Sequence, residues 1–367
     1  MASIIEFRRA LHQIPELAFH ETQTQAYVLQ TLRNMGWDPR PIAGTGVVVD
    51  IDSGRPGPTV MFRADMDGLP LTEETGLAFA SRHPGVMHAC GHDGHMAILL
   101  GLAERLAEGA PFQGRVRLAF QPAEERPPGG ALQMIEAGVL DGVDEVYGLH
   151  LWAGFPVGTI GLRPGPMMAN ADEFRIVVTG RGGHGSQPEA TADAVLLASQ
   201  IVVNLQTIVS RRVPALEPAV VTCGTIQGGH TFNIIAERAE ITGTVRTFSA
   251  ETQALVRQEM AHIARTTALL YGADAELVYN PGYPALINAE EPTRRWQARL
   301  REWATVVEPE PSMGGEDFAY YLHHRPGAFL FLGARPDVEY PHHSPHFQIN
   351  EDALALGVEA FWNVIRA

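Results

Sequence analysis

Apolar and polar positions follow two periodicities along the first 150 residues of the chain. Residues 3–12 and 21–35 carry apolar side chains at helical spacing, with Pro15 in the turn between them. The runs at 47–51 and 59–63 are short and apolar and are split by a Gly/Pro turn at 53–58, which predicts two strands. Residues 96–106 form a run of small and apolar side chains broken only by Glu104 and Arg105, which predicts a buried helix. A strand at 116–120, a helix at 131–137 and a strand at 145–151 follow. Strands alternating with helices predict an α/β sheet that is at least partly parallel.

The pattern changes near residue 172. A strand with alternating character spans 173–180, followed by a Gly-rich turn, a long helix at 191–211, strands at 220–226 and 240–248, a helix at 250–271 and a strand at 276–279. This β-α-β-β-α-β order matches the split-βαβ motif and predicts a compact inserted domain. The expected division is a discontinuous catalytic domain, 1–171 and 284–367, and an inserted domain, 172–283. After Pro284 the chain returns to a helix near 291–303, an acidic Gly-Gly turn at 314–318, a strand at 329–332 and a final helix from Glu351.

With 367 residues, 45% of them hydrophobic and 19% charged, the chain can bury a large core. A formal charge of −15 argues against general affinity for nucleic acid or anionic membranes. Only two cysteines, Cys90 and Cys223, are present, so a disulfide framework is not expected and a reducing compartment is permitted. The N-terminal segment reads as an amphipathic helix rather than a signal peptide. No apolar run is expected to reach the length of a bilayer span. Together these point to a cytoplasmic protein.

Candidate chemistry concentrates in the stretch at 87–102, where Cys90, His92, Asp93 and His95 fall within six residues at the predicted start of the buried helix. Free N–H groups at a helix start favour anions, and Cys with His at short spacing suits a borderline-soft divalent metal. A buried structural cysteine and solvated histidines are the alternative. Other polar residues fall at predicted strand ends: Asp65 and Asp67, Glu124 and Glu125, and His150. In open α/β sheets, sites form beyond the carboxyl ends of strands. Adjacent buried carboxylates need a cation or a shared proton, and a dinuclear metal site meets that need, one Glu binding metal while its neighbour acts as base. An exposed acidic loop is the other reading of that pair. A core histidine is the other reading of His150, and a solvated loop that of the three histidines at 342–346.

Taken in order, RADMDGLP (63–70), MHACGHDGH (87–95), FQPAEE (120–125), GLHLW (148–152), GRGGHGSQP (180–188), GGHTFNIIAE (228–237), GTVRTF (243–248), GGEDF (314–318) and HHSPHF (342–347) extend over nearly the whole chain. They resemble the amidohydrolase branch of the aminoacylase/carboxypeptidase metallopeptidase family, which contains hippurate hydrolases and plant indole-acetyl-amino-acid hydrolases. The resemblance implies an α/β, mixed-sheet, zinc-peptidase-like catalytic domain with an inserted split-βαβ (ferredoxin-like) lid that also dimerises. It implies two divalent metal ions per chain (Zn, Mn, Co or Ni) and hydrolysis of N-acyl amino acids by a metal-activated water. Carried over by motif, the metal ligands are Cys90, His92, Glu125, His150 and His343. His343 is chosen over the nearby His342 and His346 because it directly precedes the Ser344-Pro345 pair. The resemblance gives Glu124 the role of general base, and Asp67 that of orienting a ligating imidazole. It makes His184 an oxyanion group reaching a neighbouring subunit, and Asn233 and Arg246 contacts for the substrate carboxylate. It also implies a small-molecule substrate and a homodimer through the lid, with a tetramer as alternative. One departure is local: Ile234, Ile235 and Ala236 stand where the family has a proline after its Ile, which predicts a looser turn. A dipeptidase or carboxypeptidase, a catalytically silent homologue and a thiol enzyme using Cys90 are the competing readings. The last leaves Glu124, Glu125, His150 and His343 without a role.

Overall fold

The computed structural model describes residues 2–366. The chain divides into two compact units. The first comprises Met1–Met167, Ile287–Glu310 and Asp317–Ala367, and the second Met168–Leu286 and Pro311–Glu316. The short segment 311–316 groups with the second unit because it runs beside residues 168–169, with the Ala169 N–H donating to the Ser312 carbonyl at 2.9 Å.

An eight-stranded mixed sheet organises the first unit. Its order is Arg40–Ile42, Gly46–Asp52, Arg115–Gln121, Thr59–Asp65, Glu145–Trp152, Gly327–Gly333, Thr159–Gly161 and Thr305–Val307. The four strands from Arg115–Gln121 to Gly327–Gly333 run parallel. Thr59–Asp65, Glu145–Trp152 and Gly327–Gly333 are buried nearly end to end, as strands covered on both faces must be. Because the strands are parallel, their carboxyl ends gather on one edge, with Asp65 directly opposite Gln121. The loops that leave this edge carry the acids of 65–67 and 124–125. Arg63 breaks the apolar run of its strand and is 1% exposed. It is satisfied there by Gln121 Oε1 at 2.9 Å, Asp65 Oδ2 at 2.7 Å and Asp317 Oδ1 at 2.8 Å.

The helix His92–Ala107 lies in the middle of this unit and buries nearly every side chain, as its apolar run predicts. It packs against the helices Ala2–His12 and Asp352–Ile365. Its first turn is tied to the N-terminal helix by charge. Arg8 Nε donates to Asp93 Oδ2 at 3.0 Å, and His12 Nδ1 meets the same oxygen at 2.9 Å. Burial disfavours a charged His12, but Asp93 and Glu73 outweigh it and raise its pKa to about 9.

The second unit is a four-stranded antiparallel sheet in the order Ala219–Gly228, Arg238–Thr247, Ala171–Thr179, Asp274–Tyr283. Alternation along Ala171–Thr179 turns Phe174, Ile176 and Val178 into a core shared with the helices Ala194–Thr207 and Ala250–Leu269. Asp193 and Ser249 cap these helices by accepting from backbone N–H groups, each cap contributing about 1 kcal/mol. One expectation is corrected here. The helical stretch Ala194–Arg212 is long and apolar enough, by length and composition, to cross a membrane. Part of its apolar character has a local cause: Ala194, Leu197, Ala198, Ile201, Leu205 and Ile208 form a buried stripe in the second core, while Val195, Leu196, Val203 and Val209 are exposed.

Candidate metal centre

The site begins at the tight turn before the helix His92–Ala107. Gly91 takes φ +95°, a left-handed conformation open to glycine, and so places Cys90 and His92 on either side of a sharp reversal. One turn later, a Cβ on Gly94 would lie 2.4 Å from Leu151 Cδ1. The missing side chain lets the helix start approach the strand end that carries His150. Cys90 Sγ then lies 3.3 Å from His150 Nε2, although 60 residues separate them.

Backbone carbonyls fix the direction of both imidazoles. His92 Nδ1 donates to the Asp67 carbonyl at 2.9 Å, and His150 Nδ1 to the Leu151 carbonyl at 2.8 Å. Each ring thus presents Nε2 to the centre, the arrangement that orients imidazole ligands in metal sites. Among the described residues, the buried His92 Nε2 has no hydrogen-bond partner. His95, in the same motif, has no such nitrogen to offer. Its Nδ1 donates to Asp65 Oδ1 at 2.6 Å, and its Nε2 accepts from the Leu151 N–H at 2.8 Å. His95 therefore ties Asp65 to the end of the strand bearing His150.

Asp67 anchors the acidic pair. Its two oxygens accept from the N–H groups of Glu124 and Glu125, each at 3.0 Å. Its Oδ1 also lies 3.3 Å from His92 Nδ1. Glu124 Oε2 and Glu125 Oε1 then stand 3.9 Å and 4.0 Å from His92 Nε2.

Two donor sets share the thiol. Single ligand atoms of Cys90, His92 and Glu125 lie within 4.8 Å of one another, as do those of Cys90, His150 and His342. His343 reaches one member of the first set, its Nε2 lying 3.2 Å from Glu125 Oε1. The chain takes the left-handed conformation at His343, φ +66°, and the two neighbouring histidines point to different donor sets. Neither ring nitrogen of His342 has a hydrogen-bond partner among the described residues, though both are buried. His346 turns away, its Nδ1 donating to the Glu74 carbonyl at 3.0 Å.

The electrostatics suit bound cations. Burial pushes the Cys90 thiol well up, and the charges of Glu125, Glu124 and Asp65 push it further. Burial also holds His150 well below the usual histidine range and takes His342 down to about 4, with neighbouring histidines adding to both. Burial opposes the charged form of His92, but Asp65, Asp67 and Glu125 raise it to about 10. A neutral imidazole, a buried thiol and clustered carboxylates form a donor set whose charge divalent ions would balance.

Seven of the expected site residues thus converge in the first unit: Asp67, Cys90, His92, Glu124, Glu125, His150 and His343. The other three, His184, Asn233 and Arg246, belong to the second unit. His184 lies in a two-stranded ribbon in which Gly183–His184 pairs with Ile234–Ile235, directly after Asn233. The segment without the family's proline is thereby held by strand pairing instead of forming a looser turn. The His184 ring accepts from the Ser186 N–H at 3.1 Å. Burial lowers the pKa of Arg246, and among the described residues its guanidinium makes no hydrogen bond or ion pair.

Sequence reasoning gave no supporting role to Asp65, His95 or Glu21. The available signal was the two-residue spacing of Asp65 and Asp67. His95 and His342 looked like further ligand candidates, and only their ring contacts separate the first from the second.

A model of peptidase family M20/M25/M40 matches residues 61–367. The chain belongs to that family. An N-acetyl-L-cysteine deacetylase of Bacillus subtilis is 44% identical over 96% of this chain and 84% of its own length. Thermostable carboxypeptidase 1 of Saccharolobus solfataricus is 42% identical over 97% of this chain and 93% of its own. The crystal structure of Bacillus subtilis YXEP, described as a dinuclear metal-binding peptidase of family M20, matches with a TM-score of 0.88 at 37% identity, covering 99% of this chain and 96% of that one. M20 membership accounts for the α/β catalytic fold and makes the chain a metal-dependent hydrolase.

Proposed function

We propose that this M20 hydrolase cleaves the amide bond of N-acyl amino acids, releasing a carboxylic acid and an amino acid, with two divalent metal ions held at Cys90. The observation that carries this reading is the single buried thiol shared by two donor sets, beside a carboxylate pinned through its backbone. Cys90, His92, Glu125 and His343 would hold one ion, and Cys90 with His150 and His342 the other. Zinc, manganese, cobalt and nickel all suit a thiolate, imidazole and carboxylate set. Bound there, such ions supply Lewis acidity that polarises a carbonyl and makes water acidic enough to attack it.

The chain's own residues do the rest. Glu124 takes a proton from the attacking water and returns it to the leaving nitrogen. Asp67 keeps both glutamates aimed by holding their N–H groups. His184 meets the oxyanion as charge develops. Arg246, half-buried and without a hydrogen bond or ion pair among the described residues, binds the free carboxylate of the substrate bidentately, and Asn233 is a second contact for it. The second unit serves as a lid and dimerisation domain that lends His184 to a neighbouring subunit. Two free cysteines and the need for a reduced Cys90 favour the cytoplasm.

The test is turnover of an N-acyl amino-acid panel, from N-acetyl amino acids to hippurate, with dipeptides included. Activity is expected to vanish on chelation and return with added metal. The relationship to a carboxypeptidase keeps the dipeptide reading open, and preference for dipeptides over all N-acyl substrates would establish it in place of ours. On the same panel, Arg246→Ala should raise KM about tenfold or more for free carboxylates and leave the matching amides unchanged. Equal losses for both would remove Arg246 from carboxylate binding.

The shared-site reading has its own check. Glu124→Gln chains and His184→Ala chains are each expected to be nearly inactive. Mixed after dissociation, they should recover about a quarter of wild-type activity, because half the dimers then contain one complete site. No recovery, with native mass spectrometry showing mixed dimers, would place His184 in its own chain's site or in none.

A further inference from the structure

Glu21 lies far from the acidic pair in sequence and carries no assigned role. Its side chain is fully buried. It sits at the position preceding the helix Thr22–Asn34 but does not cap that helix. Its Oε1 instead accepts from the Phe19 N–H at 3.0 Å and from the Ala123 N–H at 2.9 Å, and its Oε2 accepts from the Thr45 hydroxyl. Ala123 opens the turn that carries Glu124 and Glu125, and it takes φ +54°. Non-glycine residues rarely occupy that region, so the surrounding structure must hold it there.

The three successive N–H groups of 123–125 are therefore all held by carboxylates from elsewhere in the chain: Ala123 by Glu21, and Glu124 and Glu125 by Asp67. Two carboxylates fix the turn in place of the regular structure that would otherwise hold it. The strand Arg115–Gln121 ends just before, and the next helix, Gly130–Glu136, starts after the turn. With Asp67 alone, the turn would be held at its last two N–H groups, and Ala123 only through its carbonyl, which accepts from the Gly130 N–H at 3.0 Å.

We propose that Glu21 is a positioning residue for hydrolysis, fixing the 123–125 turn and through it the aim of the Glu124 and Glu125 carboxylates. This rests on the roles given above to those two glutamates. Glu21→Gln keeps an oxygen acceptor for both N–H groups, and Glu21→Ala leaves the Ala123 N–H without its partner. Ala123→Gly removes the cost of the left-handed conformation.

The experiment compares these variants as metal-loaded enzyme, by steady-state kinetics and by the visible spectrum of the cobalt-substituted form. The spectrum reports Glu125 without any turnover. Glu21→Ala is expected to lower kcat about 30-fold or more, with KM within about twofold, and to shift the cobalt spectrum. Glu21→Gln should restore both, and adding Ala123→Gly to Glu21→Ala should restore part of each. A folded Glu21→Ala with wild-type kcat and spectrum would overturn the proposal. A folded Glu21→Gln as impaired as Glu21→Ala would also overturn it, and that variant remains informative if the alanine form does not fold. Glu124→Gln is measured alongside. If it is active while Glu21→Ala shifts the cobalt spectrum, the base assignment fails and the positioning of Glu125 stands.

Discussion

Glu124→Gln is expected to fold, to bind two metal ions, and to turn over an N-acyl amino acid about a thousandfold more slowly than the parent. The substitution keeps the size and the backbone N–H that Asp67 accepts at 3.0 Å, so the turn should not move. What it removes is the carboxylate that accepts and returns the proton, and general acid–base groups contribute about 10²–10⁴ in rate. The loss should fall on kcat, because the amide of glutamine leaves ground-state binding intact. Metal content by mass spectrometry and a steady-state comparison decide the matter. Near-wild-type kcat with both metals bound would show that the base lies elsewhere.

Cys90→Ala is expected to lower bound metal from two ions per chain to one or none, and to abolish activity. Cys90 is the only residue common to both donor sets, so its loss weakens both at once. Removing a residue that merely orients a ligand costs about 10–100-fold in metal affinity, and loss of a shared ligand should cost more. The same variant separates the metal reading from a thiol nucleophile. Burial and the neighbouring carboxylates push the Cys90 thiol upward, the wrong direction for a free nucleophile. A thiolate there requires a cation. If Cys90→Ala kept two tightly bound metals yet lost all turnover, the thiol mechanism would return as the better account.

Much of the catalytic unit was legible because local spacing decides it. The apolar run after His92 reads by its length as a buried helix, and the shorter runs at 59–63 and 145–151 as covered strands. Parallel strands place their carboxyl ends on one edge, so Asp65, Asp67, Glu124, Glu125 and His150 had to gather near the start of that helix. The β-α-β-β-α-β order likewise gave the second sheet and its two helices. The apolar helix Ala194–Arg212 was the exception. Its composition suits a membrane as well as a core, and only its neighbours in the second unit separate the two.

The chain's residue order by itself determined which chemical groups are present and which ends of which elements bear them, because helix and strand periods depend on near neighbours. It did not determine which nitrogen of each imidazole faces inward. That depends on carbonyls and carboxylates contributed from distant residues, as His95 shows by spending both of its nitrogens on Asp65 and Leu151. Nor could the order show that the adjacent His342 and His343 point to different donor sets, since that follows from the left-handed backbone at His343. Glu21 is the extreme case: its partner lies 102 residues away. A buried carboxylate must find its donors wherever folding brings them, and only the tertiary structure brought Ala123.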